Sequence, residues 1–148
     1  MSSTILVVDD DNTVRSLLQE VFEAEGWAVK TAADGMEALV ALKMGRFDLM
    51  VTDLHMPRLD GYKLIPHALN TSPEMSILVL SADSSISSIG EIYRHAIKGF
   101  LPKPFKDVRV VLEKTRQALE LSRSHKSLAE KLARAEAAIA QVSSGDDD

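Results

Sequence analysis

Asp9 and Asp10 follow the apolar run Ile5-Leu6-Val7-Val8, and Asp53 comes just after Leu49-Met50-Val51. Ser81 closes a fourth apolar run, Ile77 to Leu80, and Lys103 comes shortly after Gly99-Phe100-Leu101. Short apolar runs that end in polar residues are candidate buried strands, and in parallel sheets the carboxyl ends of the strands carry the chemistry. Three carboxylates brought together there repel one another unless a cation compensates, and a site made only of oxygen donors suits Mg²⁺. Acids, one lysine and one hydroxyl at a common sheet end point to metal-assisted chemistry on a phosphoryl group.

The elements that must position these residues alternate along the chain. Strands are predicted over Ile5–Val8, Ala28–Ala32, Asp48–Thr52, Ile77–Leu80 and Ile97–Leu101. Between the first two, Val14, Leu17, Leu18, Val21 and Phe22 recur at helical spacing, with Asp11 or Asn12 to cap the start and Gly26 to end it. Further helices are predicted over Gly35–Met44, with Met36 and Met44 packing on its face, over Tyr62–Asn70, and weakly over Ser84–Arg94, where Gly90 lowers the propensity. Pro66 should kink or shorten the third helix. Strand–helix alternation with short connections implies an α/β fold: a doubly wound parallel sheet covered on both faces.

After Lys103-Pro104-Phe105 no proline or glycine occurs until residue 145. Ala118, Leu121, His125, Leu128, Leu132, Ala135, Ile139 and Val142 alternate in steps of three and four, which is the seam of a coiled coil. Lys131 and Glu136 stand at flanking positions suited to a cross-chain ion pair. The expected organisation is an α/β domain over 1–120, a helical extension over 121–142 that pairs two chains as a homodimer, and a disordered acidic tail over 143–148.

Composition narrows the function. The 148 residues carry a net charge of −5 and contain no cysteine, which excludes disulfides, thiol catalysis and cysteine-type zinc sites. The excess acid lies in the first two thirds of the chain, which argues against direct nucleic-acid binding there. No apolar stretch approaches membrane-spanning length, and Met1-Ser2-Ser3-Thr4 runs into a strand without a basic leader, so the expectation is a cytoplasmic protein without membrane contact.

Together, Val7-Val8-Asp9-Asp10-Asp11, Thr52-Asp53-Leu54-His55-Met56-Pro57, Asp60-Gly61, Ser81-Ala82 and Lys103-Pro104-Phe105 resemble a response-regulator receiver domain over about residues 4–120. The resemblance implies a five-stranded, flavodoxin-like sheet in the order 2-1-3-4-5. It implies that Asp53 accepts a phosphoryl group from a phosphohistidine on a sensor histidine kinase or histidine phosphotransfer protein. Mg²⁺ would be held by Asp9, Asp10, Asp53 and the backbone carbonyl of His55, while Lys103 and Ser81 would contact phosphoryl oxygens. A cis Lys103–Pro104 bond is implied as well. Ser81 and Phe100 would form the switch, standing where threonine and tyrosine are common in the family. Such a protein is a signalling switch that gains and loses its own phosphoryl group, not a turnover enzyme. Its output would be a downstream protein target or an effector domain absent from this chain.

A rival reading is a haloacid-dehalogenase-like phosphatase with Asp9 as nucleophile, because Asp9-Asp10-Asp11-Asn12-Thr13 resembles that family's first motif. It leaves Asp53-Leu54-His55-Met56-Pro57 unexplained and lacks a late acidic pair. Taken alone, the acids at 9–11 would also serve as a plain helix-capping cluster.

Overall fold

The computed structural model describes residues 3–81 and 96–145, with side chains described for all of these except residues 81, 123–127, 129 and 142–145. In chain order the elements are β1 (Thr4–Val8), α1 (Asn12–Ala24), β2 (Ala28–Ala32), α2 (Gly35–Met44), β3 (Leu49–Asp53), α3 (Gly61–Thr71), β4 (Ser76–Ser81), β5 (Ile97–Pro102) and α4 (Val108–Gly145). The helix expected over 84–94, with Asp83 before it, lies outside the described residues.

The five strands form one parallel sheet in the order β2-β1-β3-β4-β5. Successive side chains of a strand point to opposite faces, so each apolar run feeds two cores. Leu6, Val8, Met50, Ile77 and Val79 pack against α2 and α3 on one face. Ile5, Val7, Leu49, Val51, Leu78 and Leu80 pack on the other face against Leu18 and Phe22 of α1 and Val111, Ala118 and Leu119 of α4. Trp27 stacks obliquely on Phe22, with ring centroids 5.7 Å apart.

Acids cap the helices. Asp11 accepts from Thr13 N–H at the start of α1, and Asp60 from Lys63 N–H at the start of α3. Asp34 accepts from Glu37 N–H at the start of α2 while the Glu37 carboxylate accepts from Ala33 N–H, one residue before the cap, a variant of the capping box. The last helix begins at Val108, where Asp107 accepts from Arg109 N–H through its side chain and from Val110 and Val111 N–H through its carbonyl.

Three expectations change. The third helix is not shortened by Pro66 but runs through it from Gly61 to Thr71; Leu64, Ile65 and Ala68, buried around the proline, hold the segment helical against the lost N–H. Met36 and Met44 do not pack into the domain. Ala38, Ala41 and Leu42 make the buried face of α2, and Met36, Val40 and Met44 lie together on the opposite, exposed face. The last helix extends through Gly145, so residues 143–145 continue α4 where a tail was expected.

Along α4, Val111, Thr115, Ala118, Leu119 and Ser122 are buried against the domain. The Ser122 hydroxyl donates to the Asp48 carbonyl at 3.0 Å, so the helix stays docked two residues past the expected boundary at 120. Lys114 Nζ donates to the Phe100 carbonyl on the edge strand β5, and Arg116 pairs with Glu25 at the end of α1. Ala118, read as the first seam position, belongs instead to the domain core. From Leu121 onward the apolar seam is exposed, through Leu128, Leu132 and Ile139.

Candidate functional site

Strand register brings the predicted residues together. Val8 pairs with Thr52, so Asp9 and Asp53 emerge side by side from adjacent strands. Asp53 pairs with Leu80 and Ser81 with Pro102, which places Ser81 and then Lys103 at the same end of the sheet.

Lys103 Nζ lies between two carboxylates, 2.8 Å from Asp53 Oδ2 and 2.5 Å from Asp9 Oδ2. The Asp9 side chain is fully buried and that of Asp53 nearly so. Asp9 Oδ1 accepts from Asp11 N–H at 2.9 Å, and Asp53 Oδ1 from His55 N–H at 3.1 Å. Asp9 Oδ2 is buried, and its partner is the Lys103 ammonium, with which it forms an ion pair. The Lys103–Pro104 peptide is cis.

Charge and burial compete here. Burial pushes the Asp9 carboxyl above its ordinary 3.8; the Lys103 ammonium and Asp11 N–H work against that, and the Asp53 charge adds to it. Burial also works against the Lys103 ammonium, but Asp53 and Asp9 prevail and hold its pKa above the ordinary 10.5. One lysine thus offsets carboxylates that would otherwise repel one another at this sheet end.

Asp9, Asp10 and Asp53 can each present one oxygen such that all three lie within 4.8 Å of one another. Asp10 is exposed, which leaves the group open on one side. The donors are all hard carboxylate oxygens, and this set fits a hard divalent cation such as Mg²⁺. His55 enters the site through its backbone; its exposed ring meets Tyr62 edge-on at 5.9 Å. Phe100 is partly buried against the core face shared by α2 and α3.

Two features had not been anticipated. Arg15 sends one guanidinium nitrogen to the Asp9 carbonyl at 2.6 Å and another to Asn12 Oδ1 at 3.2 Å, holding the turn after β1 from one helical turn away. Gly61 lets α3 start hard against the end of β3: a Cβ there would sit 2.3 Å from the Asp53 carbonyl oxygen and 2.7 Å from Leu54 Cα. The Asp60-Gly61 pair was visible in the sequence; its contact with Asp53 was not.

The phosphatase reading is not favoured by this geometry. Asp9, its required nucleophile, has no exposed surface, one oxygen held by Asp11 N–H and the other against Lys103.

Known proteins agree with the arrangement. Residues 5–116 match the model of the response regulator receiver domain. The Regulator of RpoS from Escherichia coli is 38% identical over 109 residues, 74% of this chain and 32% of that protein. Response regulator MprA from Mycobacterium bovis is 41% identical over 105 residues, 71% of this chain and 46% of that protein. The chain therefore spans less than half the length of these curated relatives, 32% of one and 46% of the other. The solved structure of Vibrio cholerae chemotaxis protein CheY4 superposes with a TM-score of 0.72 at 28% identity, covering 80% of this chain and 99% of that one. Sheet order, the acids and lysine gathered at one sheet end, and these matches together establish that the chain belongs to the response regulator receiver domain family, the signalling switches of two-component systems.

Proposed function

We propose that this receiver is phosphorylated on Asp53 by a sensor histidine kinase or a histidine phosphotransfer protein. An Asp53 oxygen forms the new O–P bond as the P–N bond to the donor imidazole breaks, its electron pair leaving on the imidazole nitrogen. Asp9, Asp10, Asp53 and the His55 carbonyl hold Mg²⁺, which when bound neutralises charge so that one anion can approach another. Lys103 passes from the Asp53 carboxylate to a phosphoryl oxygen, and the Ser81 hydroxyl donates to another. The observation that carries this reading is the Asp53 carboxylate at the end of β3, held by Lys103 on one oxygen and by His55 N–H on the other.

The phosphoryl group adds about −1.5 to −2 charge. Ser81 is drawn towards it, Phe100 turns inward, and the surface around β5 and α4 changes shape. The exposed seam of α4 pairs with a second copy of the chain, so that a change at β5 reaches the dimer through one continuous helix. The output is then a protein target or an effector domain carried elsewhere.

The test is phosphorylation by a small phosphodonor with Mg²⁺, read as a mass increase and mapped to a peptide. Label on Asp53, abolished in Asp53→Asn and by removal of Mg²⁺, is the expected result. Label on Asp9, or uptake unaffected by Asp53→Asn, refutes it.

A further inference from the structure

The loop between β3 and α3, residues 54–60, contains His55 and follows directly on Asp53. Arg58 at its outer end has φ of +67°, the one positive value outside glycine among the described residues. A left-handed backbone is unfavourable for a residue with a Cβ and persists only where its surroundings hold it. Here Arg58 Nε donates to Asp34 Oδ2 at 2.7 Å, and a second guanidinium nitrogen stands 2.6 Å from the same oxygen.

Asp34 is a rigid anchor. It is buried at the start of α2, and its other oxygen caps that helix by accepting from Glu37 N–H at 2.9 Å. Burial works against its charge, but Glu37 N–H and the Arg58 guanidinium hold its carboxyl below the ordinary range. The next residue, Gly35, meets the loop itself: a Cβ there would lie 2.2 Å from the Leu59 carbonyl oxygen. The loop is thus fastened twice, at Leu59 by close packing and at Arg58 by an ion pair with a helix cap.

From this geometry we infer that Arg58 and Asp34 are positioning residues for the metal site: they strap the loop to α2 and so fix the backbone of His55 beside Asp53. This rests on the receiver reading given above. Neither residue touches the reacting groups; both act by holding the loop before any metal arrives. An ion pair whose arginine is largely exposed contributes little to global stability. Its effect is local, on the loop and on the affinity of the site that the loop completes. Groups that hydrogen-bond a metal ligand directly typically change metal affinity by about 10- to 100-fold when removed, and a strap one contact further out should act at the low end of that range.

Charge and strap predict opposite signs. Removing a positive side chain near a cation site should tighten Mg²⁺ binding if charge alone mattered. Removing a strap should weaken it. The experiment is Mg²⁺ titration calorimetry on the full chain for wild type, Arg58→Ala and Asp34→Asn, with hydrogen exchange of the His55, Leu59 and Gly61 amides in metal-free protein. The expected result for Arg58→Ala is about tenfold weaker Mg²⁺ binding with faster exchange of those amides and a cooperative melt; Asp34→Asn should move the same way. Unchanged or tighter binding by Arg58→Ala, or unchanged exchange, overturns the inference. If Arg58→Ala does not fold, Arg58→Lys is read in its place, since it keeps the charge but loses the guanidinium fork. A wild-type protein that does not bind Mg²⁺ at all removes the receiver-site reading and this inference with it; normal wild-type binding with an unaffected Arg58→Ala removes only the strap.

Discussion

Gly61→Ala should damage the site without touching any of its polar groups. The added Cβ would stand 2.3 Å from the Asp53 carbonyl oxygen and 2.7 Å from Leu54 Cα, both backbone atoms that cannot swing aside. A Cβ does not approach another heavy atom closer than about 3.0 Å, so the start of α3 must retreat by about 0.7 Å, the difference between 3.0 and 2.3. The hydrogen bond from Gly61 N–H to the Leu54 carbonyl, 3.0 Å long, is stretched by that retreat. Overpacking costs about 1–3 kcal/mol and a weakened hydrogen bond about 1. The better helix propensity of alanine returns up to about 1. The net expectation is about 1–3 kcal/mol of destabilisation, or a melting midpoint lower by roughly 3–12 °C for a chain of this size. Because the strained contact is with Asp53 itself, phosphoryl uptake should slow as well. Gly45→Ala is the internal control: its Cβ meets nothing within 4 Å, so neither stability nor uptake should fall. Thermal melts and phosphorylation time courses on both variants decide the matter. A Gly61→Ala protein as stable and as reactive as wild type would refute the close approach of α3 to Asp53.

Lys103→Met leaves Asp9 and Asp53 without their shared cation and should cost about 3 kcal/mol near neutral pH, the scale for breaking a buried pair. The sign with pH is fixed. Lys103, raised on folding, stabilises the protein below 10.5 and stops doing so as pH rises through its folded value; Asp9, also raised, favours the fold below 3.8 and loses that contribution as pH rises through its own. Without Lys103 the Asp9 carboxyl is pushed up further still, so the variant gains more than the wild type as falling pH protonates it. The wild-type-minus-variant difference in urea midpoint should shrink towards acid pH, and a difference constant from pH 4 to 8 would contradict the pairing. Leu132→Asp falls on an exposed part of α4 and should leave the unfolding free energy of the α/β domain within about 0.5 kcal/mol of wild type while converting the proposed dimer to monomer by sedimentation equilibrium. A dimer that persists places the interface elsewhere. Phe22→Ala, at a fully buried position, should cost about 3–5 kcal/mol by urea denaturation, and a loss under 1 would mean that α1 is not packed as described.

Local chemistry made most of the architecture readable. Strand-like runs four or five residues long, separated by helical periods, could satisfy their backbones and bury their side chains only as a covered parallel sheet. The bounds of β2 and α2 were legible in full because Gly26 precedes one and Asp34 and Gly45 enclose the other. The gathering of Asp9, Asp53 and Lys103 was legible as well, since all three stand at or just past the carboxyl ends of parallel strands. The resemblance of its motifs to the receiver family sharpened that expectation.

Other features needed the third dimension. Periodicity marks the apolar side of a helix but not what covers it, so α2, apolar on both sides, gave no clue that Met36 and Met44 face outward. The same limit hid the division of α4 between the domain, which takes Ala118 and Ser122, and an exposed seam that starts at Leu121. Which acid serves which task depends on distances: Asp11 and Asp9 are neighbours in sequence, yet one caps a helix and the other pairs with a lysine 94 positions away. The pairing of Arg58 with Asp34 joins two loops whose approach depends on Gly35 lying against Leu59. Pattern along the chain determined which residues are strands, helices and strand-end acids, because those follow from burial and backbone hydrogen bonding. Packing decided which charges meet, because contact between distant segments is set by the space between elements.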